Sequence, residues 1–358
     1  MKRLVVSIGC PCGIGPEVSV AAAAQLRGAR ALLVGDLGVV RDAARIMKVK
    51  QPIVPVETPA DAWSLAAGSL AVFDPLPPLA KAERAWGKPT KAAGRQQLAW
   101  IDSACDLVSR GEADALVTGP ANKDVIARSG AKGAKSFRGH TEHLAARVRA
   151  REVTMAFDHA GRGLTTSLVT THLALAAVPR AITTKEVARA AFWTAKFVVD
   201  LGRPKRVPVV AIAALNPHAG ERGLLGTEER TRITPGIVAA RKRLAEAKLK
   251  VTLAGPIPAE SAFRLASEGA FDAVVAMYHD QATIPMKLLG FGDAVNVTLG
   301  LPIVRTSVDH GTAYDRAGKG TADPSGMREA MALAVQLVRC EGLTFRHGSA
   351  RRFGHRRR

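Results

Sequence analysis

Three histidines stand just after three apolar runs of this 358-residue chain. Leu168-Val169-Thr170-Thr171 leads into His172, Val209 to Leu215 into Asn216-Pro217-His218, and Ala273 to Met277 into Tyr278-His279-Asp280-Gln281. If the runs are buried parallel strands, each histidine lies beyond a carboxyl end, where open parallel sheets bind ligands. One such histidine alone reads as packed or solvated. Three at equivalent positions form a candidate set for a divalent cation, and three imidazoles leave a fourth position open, as a catalytic metal requires. The intervals of 46 and 61 residues match no local zinc motif, so the reading depends on the strands. Asp280, beside His279, is placed to orient that ring or to take a proton.

Anion chemistry is carried by two other segments. Arg138-Gly139-His140-Thr141-Glu142 reads as a polar loop entering a helix, with free N–H groups and a hydroxyl that could hold an anion, or as a plain helix cap. Lys287, Asn296 and Arg305 occupy successive segments after His279, Asn296 within Val295-Asn296-Val297-Thr298-Leu299 and Arg305 just after Pro302-Ile303-Val304. An arginine so close to an apolar strand is costly to bury unless an anion pairs with it, and a protein carboxylate serves as well as a ligand. Gly13-Ile14-Gly15-Pro16-Glu17 lacks the third glycine of the dinucleotide fingerprint. The stretch from Asp309 to Pro324 is dense in Gly and small residues. It would let a ligand approach the backbone, or form a tight loop before the last helix.

The elements that must hold these residues alternate. Val5 to Ile8, Ala31 to Val34, Ala115 to Thr118 and the three histidine-bearing runs read as buried strands bounded by Gly, Pro or charge. Leu98, Ile101, Cys105 and Val108 trace one helix face ended by Gly111. Thr183-x-x-Glu186 is a capping box opening a helix through about Asp200. Such alternation predicts an α/β fold with a mostly parallel sheet covered on both faces.

Composition is ordinary for a folded protein, with 47% apolar, 23% charged and 4% aromatic residues. The longest stretch without Asp, Glu, Lys or Arg is Gly163 to Pro179, 17 residues that include polar side chains and fall short of a membrane span. The apolar start is too short for a secretory signal. Four cysteines without a C-x-x-C give no disulfide framework. A soluble, cytoplasmic protein is expected. The net charge of +20 includes six arginines after Thr344, and removing these leaves +14, so the body itself favours anionic partners. The tail reads as a solvated end, with nucleic-acid binding as a remote alternative.

Taken together, Cys12-Gly13-Ile14-Gly15-Pro16-Glu17, Val117-Thr118-Gly119-Pro120, Gly139-His140-Thr141-Glu142, Thr171-His172-Leu173, Leu215-Asn216-Pro217-His218-Ala219-Gly220-Glu221, Gly255-Pro256-Ile257-Pro258-Ala259, Met277-Tyr278-His279-Asp280-Gln281 and Val308-Asp309-His310-Gly311-Thr312-Ala313 occur in order. This pattern resembles the 4-hydroxythreonine-4-phosphate dehydrogenase family of vitamin B6 biosynthesis, over about residues 4 to 340. The resemblance implies a two-lobed α/β/α fold like that of isocitrate and isopropylmalate dehydrogenases. One lobe would comprise residues 1–118 plus 272–346, the other, with the dimer interface, 119–271, followed by a basic tail at 347–358. It implies His172, His218 and His279 as ligands of a divalent metal (Zn2+, Mg2+ or Co2+), with His279 and Asp280 in catalysis. It implies His140, Thr141, Lys287, Asn296 and Arg305 as contacts of a phosphorylated substrate. NAD or NADP would bind without the glycine fingerprint, at His310, Gly311, Thr312, Ala313 and Asp323, and a homodimer would share its sites. The implied reaction oxidises 4-phosphooxy-L-threonine to 2-amino-3-oxo-4-phosphooxybutanoate, which loses carbon dioxide to give 3-amino-2-oxopropyl phosphate. Related enzymes act on threonate or erythronate 4-phosphate or on cis-dihydrodiols, and these are the alternatives. Cys10 stands where the family usually has an acid, Cys12 where it has Ala, and Glu260 where Asp is common. The insert Lys132 to Lys135 and the Arg-rich tail are further departures.

Overall fold

Short runs rich in Val, Ile, Leu and Ala, buried on both faces, are what central parallel strands require. The computed structural model describes residues 1–203, 206–290 and 292–339. It contains strands β1 (Lys2–Ser7), β2 (Ala29–Val34), β3 (Ile53–Pro55), β4 (Leu70–Phe73), β5 (Ala115–Thr118), β6 (Thr154–His159), β7 (Leu164–Leu168), β8 (Val209–Ala213), β9 (Thr252–Ile257), β10 (Ala273–Ala276), β11 (Val295–Leu299) and β12 (Val304–Val308). They form one twelve-stranded sheet in the order β3-β4-β2-β1-β5-β12-β11-β6-β7-β10-β8-β9. The pairings β12–β11, β11–β6 and β6–β7 are antiparallel and the rest parallel. Three successive reversals split the sheet into two parallel blocks of opposite direction. The expected boundary between residues 271 and 272 precedes β10, yet β10 is hydrogen-bonded on both sides, to β7 and β8, within the second block.

Helices cover both faces. In the second block Val210, Ile212, Ala273 and Val275 face the helices Thr184–Leu201 and Thr234–Glu246. Their strand neighbours Ala211, Ala213, Val274 and Ala276 face Ala259–Ser267 and His279–Leu289, the period-two alternation of a strand. The first block buries Leu4, Val6, Leu116 and Trp100 with the helices Gly15–Ala24, Lys91–Ser109 and Ser325–Arg339. The expected caps are present. The Thr183 side chain accepts a hydrogen bond from Glu186 N, and Gly111 takes the left-handed conformation (φ 76°) just past Lys91–Ser109.

Two strand boundaries differ from expectation. β7 ends at Leu168, and the chain bends at Val169 and Thr170, whose N–H groups donate to Ala276 O and Met277 O. Arg305 lies inside β12 rather than after it, because Val304 to Val308 pair with β5 on one side and β11 on the other. The basic tail lies outside the described residues, and among them no helix is long and apolar enough to cross a membrane.

Candidate active site

The sheet order brings the three histidine-bearing ends together. β7, β10 and β8 are adjacent and parallel, so His172, His279 and His218 follow the carboxyl ends of three neighbouring strands. The rings of His172 and His279 are 5.4 Å apart between centroids. Nδ1 of His279 lies 2.7 Å from Oδ1 of Asp280, a pairing that orients the ring and leaves Nε2 free for a ligand. Burial, helped by His279, holds the His172 imidazolium below its usual range, so the ring is the neutral form a metal binds. His218 does not join them. It is exposed in a left-handed turn (φ 51°), and among the described residues no group of three or more His, Cys, Asp or Glu closes around a common point.

Polar side chains knit these ends. Thr170 donates its hydroxyl to Met277 O (2.8 Å). The Gln281 amide accepts from Met277 N (2.6 Å) and donates to Ala214 O (2.9 Å). Glu229, only 5% exposed, accepts from the N–H groups of Leu215 (3.0 Å) and Asn216 (2.8 Å), just ahead of His218.

A second cluster surrounds Arg305, which is 3% exposed. Its guanidinium donates to Asn296 Oδ1 (2.9 Å), Thr298 Oγ1 (3.0 Å) and Thr118 Oγ1 (2.7 Å), all neutral acceptors. Its Nε is buried without a partner, and no carboxylate of the described residues lies within ion-pair distance. Burial pulls its pKa down to about 9, against a weaker pull upward from Glu142. Thr141 Oγ1 sits 3.3 Å from Thr298 Oγ1, which brings the start of the helix His140–Arg147 onto the cluster. His140 Nε2 is also buried without a partner, and burial followed by the charge of Arg305 keeps that ring neutral. A desolvated guanidinium, an open Nε and an unpartnered imidazole nitrogen form a cradle for an anion.

Lys287 does not join this cluster. It is exposed on the helix His279–Leu289, about 12 Å along from His279. Its charge acts instead on Asp309 at the end of β12, whose acidity is weakened by burial and restored in part by Lys287, His310 and His279.

The loop after β12 is anchored on the first strand-to-helix turn. Ile14 N donates to Thr312 O (3.0 Å), and the buried carboxylate of Glu17 accepts from Gly318 N and Gly320 N, each at 3.1 Å. Side chains at Gly13 and Gly15 would strike Thr312 O at 2.6 Å and Ile8 O at 2.4 Å, so these glycines serve internal packing. Gly311 faces open space and His310 Nε2 is buried without a partner. Asp323 instead accepts from Ser325 N (2.9 Å), capping the helix Ser325–Arg339. Cys10 and Cys12 are both free and buried, and their mutual influence makes Cys10 more acidic and Cys12 less so, while Cys12 Sγ donates to Glu83 O (3.6 Å). Cys10 Sγ also lies 3.4 Å from Tyr314 Oη of the loop.

Residues 27–334 match the family profile described as pyridoxal phosphate biosynthetic protein PdxA. The chain belongs to this family. Among its relatives is a 4-hydroxythreonine-4-phosphate dehydrogenase of Desulfosudis oleivorans, 41% identical over 94% of this chain and 96% of the relative. The solved 4-hydroxythreonine-4-phosphate dehydrogenase of Klebsiella pneumoniae superposes with a TM-score of 0.78 at 32% identity, covering 94% of this chain and 98% of that one. A terephthalate 1,2-cis-dihydrodiol dehydrogenase of Burkholderia xenovorans LB400 superposes with a TM-score of 0.64 at 28% identity, covering 94% and 98%.

In this PdxA chain, the sequence marks neither Glu229 nor Thr298 as a site residue, and Thr118 stands in a motif without a role assigned to it. Each acts on a residue far away or on a neighbouring strand, and no local spacing marks it. Asp309 and Gln281 stand inside motifs that drew notice, but their partners are set by strand pairing.

Proposed function

We propose that this protein is an NAD- or NADP-dependent dehydrogenase of 4-phosphooxy-L-threonine, assisted by a divalent cation and acting in pyridoxal phosphate biosynthesis. The observation that carries this reading is the buried, carboxylate-free Arg305 beside His140 and Thr141, a site for a small dianion at the edge of the histidine set. The names of the relatives supply the substrate.

The donor set fits a divalent cation: neutral His172 faces His279, and Asp280 fixes the ring of His279. In this reading His172 and His279 of one chain are completed by His218 of a second copy. Support comes from the exposed apolar side chains Leu173, Leu175, Leu224, Leu225, Ile284 and Leu288, which lie on the same three segments as the histidines and suit a homodimer interface. When bound, the cation would supply Lewis acidity toward the substrate hydroxyl and the later carboxylate loss, and the nicotinamide would accept hydride. Arg305, His140, Thr141 and Asn296 hold the anionic end of the substrate and replace its lost water. Asp280 keeps His279 in one tautomer and is positioned to accept a proton. Lys287, whose charge acts on Asp309 ahead of the loop of His310 to Ala313, would face the carboxylate end of the substrate. That loop, with Asp323 in a capping role at its far end, receives the cofactor. The lobe of residues 1–118 plus 272–346 would carry it, and the lobe of residues 119–271 the interface. The free, buried cysteines suit the reducing cytoplasm.

The test is a substrate panel with NAD and NADP, read by absorbance of the reduced cofactor. Turnover of 4-phosphooxy-L-threonine far above its dephosphorylated form supports the reading. Equal turnover of the free alcohol, or preference for a cis-dihydrodiol, overturns it.

A further inference from the structure

A cavity of about 690 Å3 lies on the face of the sheet opposite the helix His279–Leu289. Three pieces of chain wall it. Val148 to Glu152 follow the helix His140–Arg147, Gly300 to Pro302 form the turn between β11 and β12, and the packed helices Thr184–Leu201 and Thr234–Glu246 supply side chains. The first two pieces lead at their other ends to the anion cradle, at His140 and at Thr298 and Arg305. None of the lining residues belongs to the site described above. We propose that this cavity is a second ligand site, for a phosphate carried on a flat heteroaromatic ring.

Charge and shape both point to that ligand. The carboxylate in the lining, Glu152, is already engaged by Arg243 and by Trp193 Nε1 (2.9 Å), and Lys196 is paired with Asp200 (2.7 Å). Arg149 and Arg151 remain, and no side-chain hydrogen bond or ion pair joins either to another described residue. Two unneutralised guanidinium groups at one opening suit a dianion, which they can hold by forked hydrogen bonds. The opposite wall is aromatic. Phe192 and Trp193 meet edge to face with 5.3 Å between centroids, and the Arg243 guanidinium lies 4.2 Å over the Phe192 ring. Its bonds to Glu152 run in the guanidinium plane, so the face turned away from Phe192 is left to stack on another flat group. Gly300, in the left-handed region (φ 90°), sits so close to Glu152 O that a Cβ would come within 2.4 Å, which seats the turn against this wall. Inorganic phosphate would leave the stacking wall unused, and an unphosphorylated ring would leave the arginines unused. A hollow of this volume takes one small molecule and not a strand.

The inference stands apart from the dehydrogenase reading, since it uses neither the histidines nor the substrate. Isothermal titration calorimetry on the full-length protein tests it. The probes are pyridoxine 5'-phosphate and AMP, a pyridine and a purine carrier of the same group, with inorganic phosphate and pyridoxine as the separate halves. Titrations compare wild type, the double variant Arg149→Ser/Arg151→Ser, Phe192→Leu and Arg305→Met. Arg149 and Arg151 are exposed, so the double variant reads binding in a folded protein. At least one probe is expected to bind wild type and Arg305→Met alike. It should bind the double variant at least ~10-fold more weakly, the scale of a lost charge-assisted hydrogen bond. Phe192→Leu should weaken it by ~3-fold or more through lost stacking. Each separate half should bind at least ~10-fold more weakly than the whole probe. Whichever probe meets these conditions identifies the carrier. Binding of both probes that vanishes in Arg305→Met and persists in the double variant places them in the anion cradle and overturns the proposal. Equal binding of inorganic phosphate overturns it as well, as does the lack of saturable binding by either probe at millimolar concentration. AMP that NAD displaces and the double variant retains belongs to the cofactor cleft, and the proposal then fails unless pyridoxine 5'-phosphate meets the conditions.

Discussion

The guanidinium of Arg305 and the imidazole of His140 share one buried compartment, and each leaves a nitrogen without a partner: Nε of Arg305 and Nε2 of His140. The charge of Arg305 is one reason His140 stays neutral, second to burial. A buried cation satisfied, among the described residues, only by Asn296, Thr298 and Thr118 is unfavourable for the empty protein and favourable for one holding an anion.

That trade-off has a testable sign. Arg305→Met should lower kcat/KM for the phosphorylated substrate by ~10²-fold or more, the scale of a broken buried charge pair. Without ligand its unfolding free energy should lie no more than about 1 kcal/mol below that of wild type, and stabilisation above wild type is equally in line with removal of an unpaired buried charge. Inorganic phosphate should raise the melting temperature of wild type and leave that of the variant unchanged. Calorimetry with and without phosphate decides, and equal protection of both proteins would remove Arg305 from the anion site.

Acid stability follows from the same compartment. The proton affinity of His140 is depressed in the folded protein, chiefly by burial, and that of His172 is depressed too. Below about pH 6.5 the unfolded chain binds protons at these rings that the folded chain refuses, so stability declines as pH falls from there toward the depressed folded values. Above that pH both states are neutral and the effect vanishes. His140→Gln cannot titrate, and its urea midpoint should fall less steeply between pH 7 and 5 than that of wild type. Parallel slopes would show that His140 is protonated in the folded state.

Sharing of the site between copies predicts complementation. His218→Ala and His279→Ala should each lose at least ~10²-fold in turnover. Mixed and reassorted, they form heterodimers in which one site takes His172 and His279 from one chain and His218 from the other, all intact. Random reassortment should restore about a quarter of wild-type activity. Mixing His172→Ala with His279→Ala should restore none, since both lesions then fall on the same half of the site. No recovery in the first mixture would place all three ligands on one chain.

Glu17 offers a separate test of the loop after β12. Its carboxylate holds Gly318 N and Gly320 N, and the amide in Glu17→Gln can accept only one of the two bonds. Loss of a hydrogen bond to a buried charge corresponds to roughly ten-fold or more. That loss is expected in KM for NAD or NADP, with KM for the phosphorylated substrate unchanged. An unaltered cofactor KM in the folded variant would detach the loop from cofactor binding.

Much of this protein was decided by local sequence. Buried runs such as Ala273 to Ala276 can satisfy their backbones only as interior strands, and Thr183 with Glu186 sets a helix start without tertiary help. The same local signals placed His172, His218 and His279 just beyond strands. Tertiary structure decided which strands are neighbours. The order β7-β10-β8 arises from hydrogen bonds between segments tens of residues apart, which side-chain periodicity cannot encode because it specifies a face and not a partner. It decided that Arg305 lies within β12 with, among the described residues, only neutral acceptors bonded to it, where the sequence permitted a carboxylate partner just as well. It turned Gly13 and Gly15 toward Thr312 O and Ile8 O, so a pattern resembling a nucleotide loop became a packing joint. It also left His218 exposed and apart from the other two histidines, because three equivalent strand ends fix where each chain leaves the sheet but not where the following turn carries its side chain.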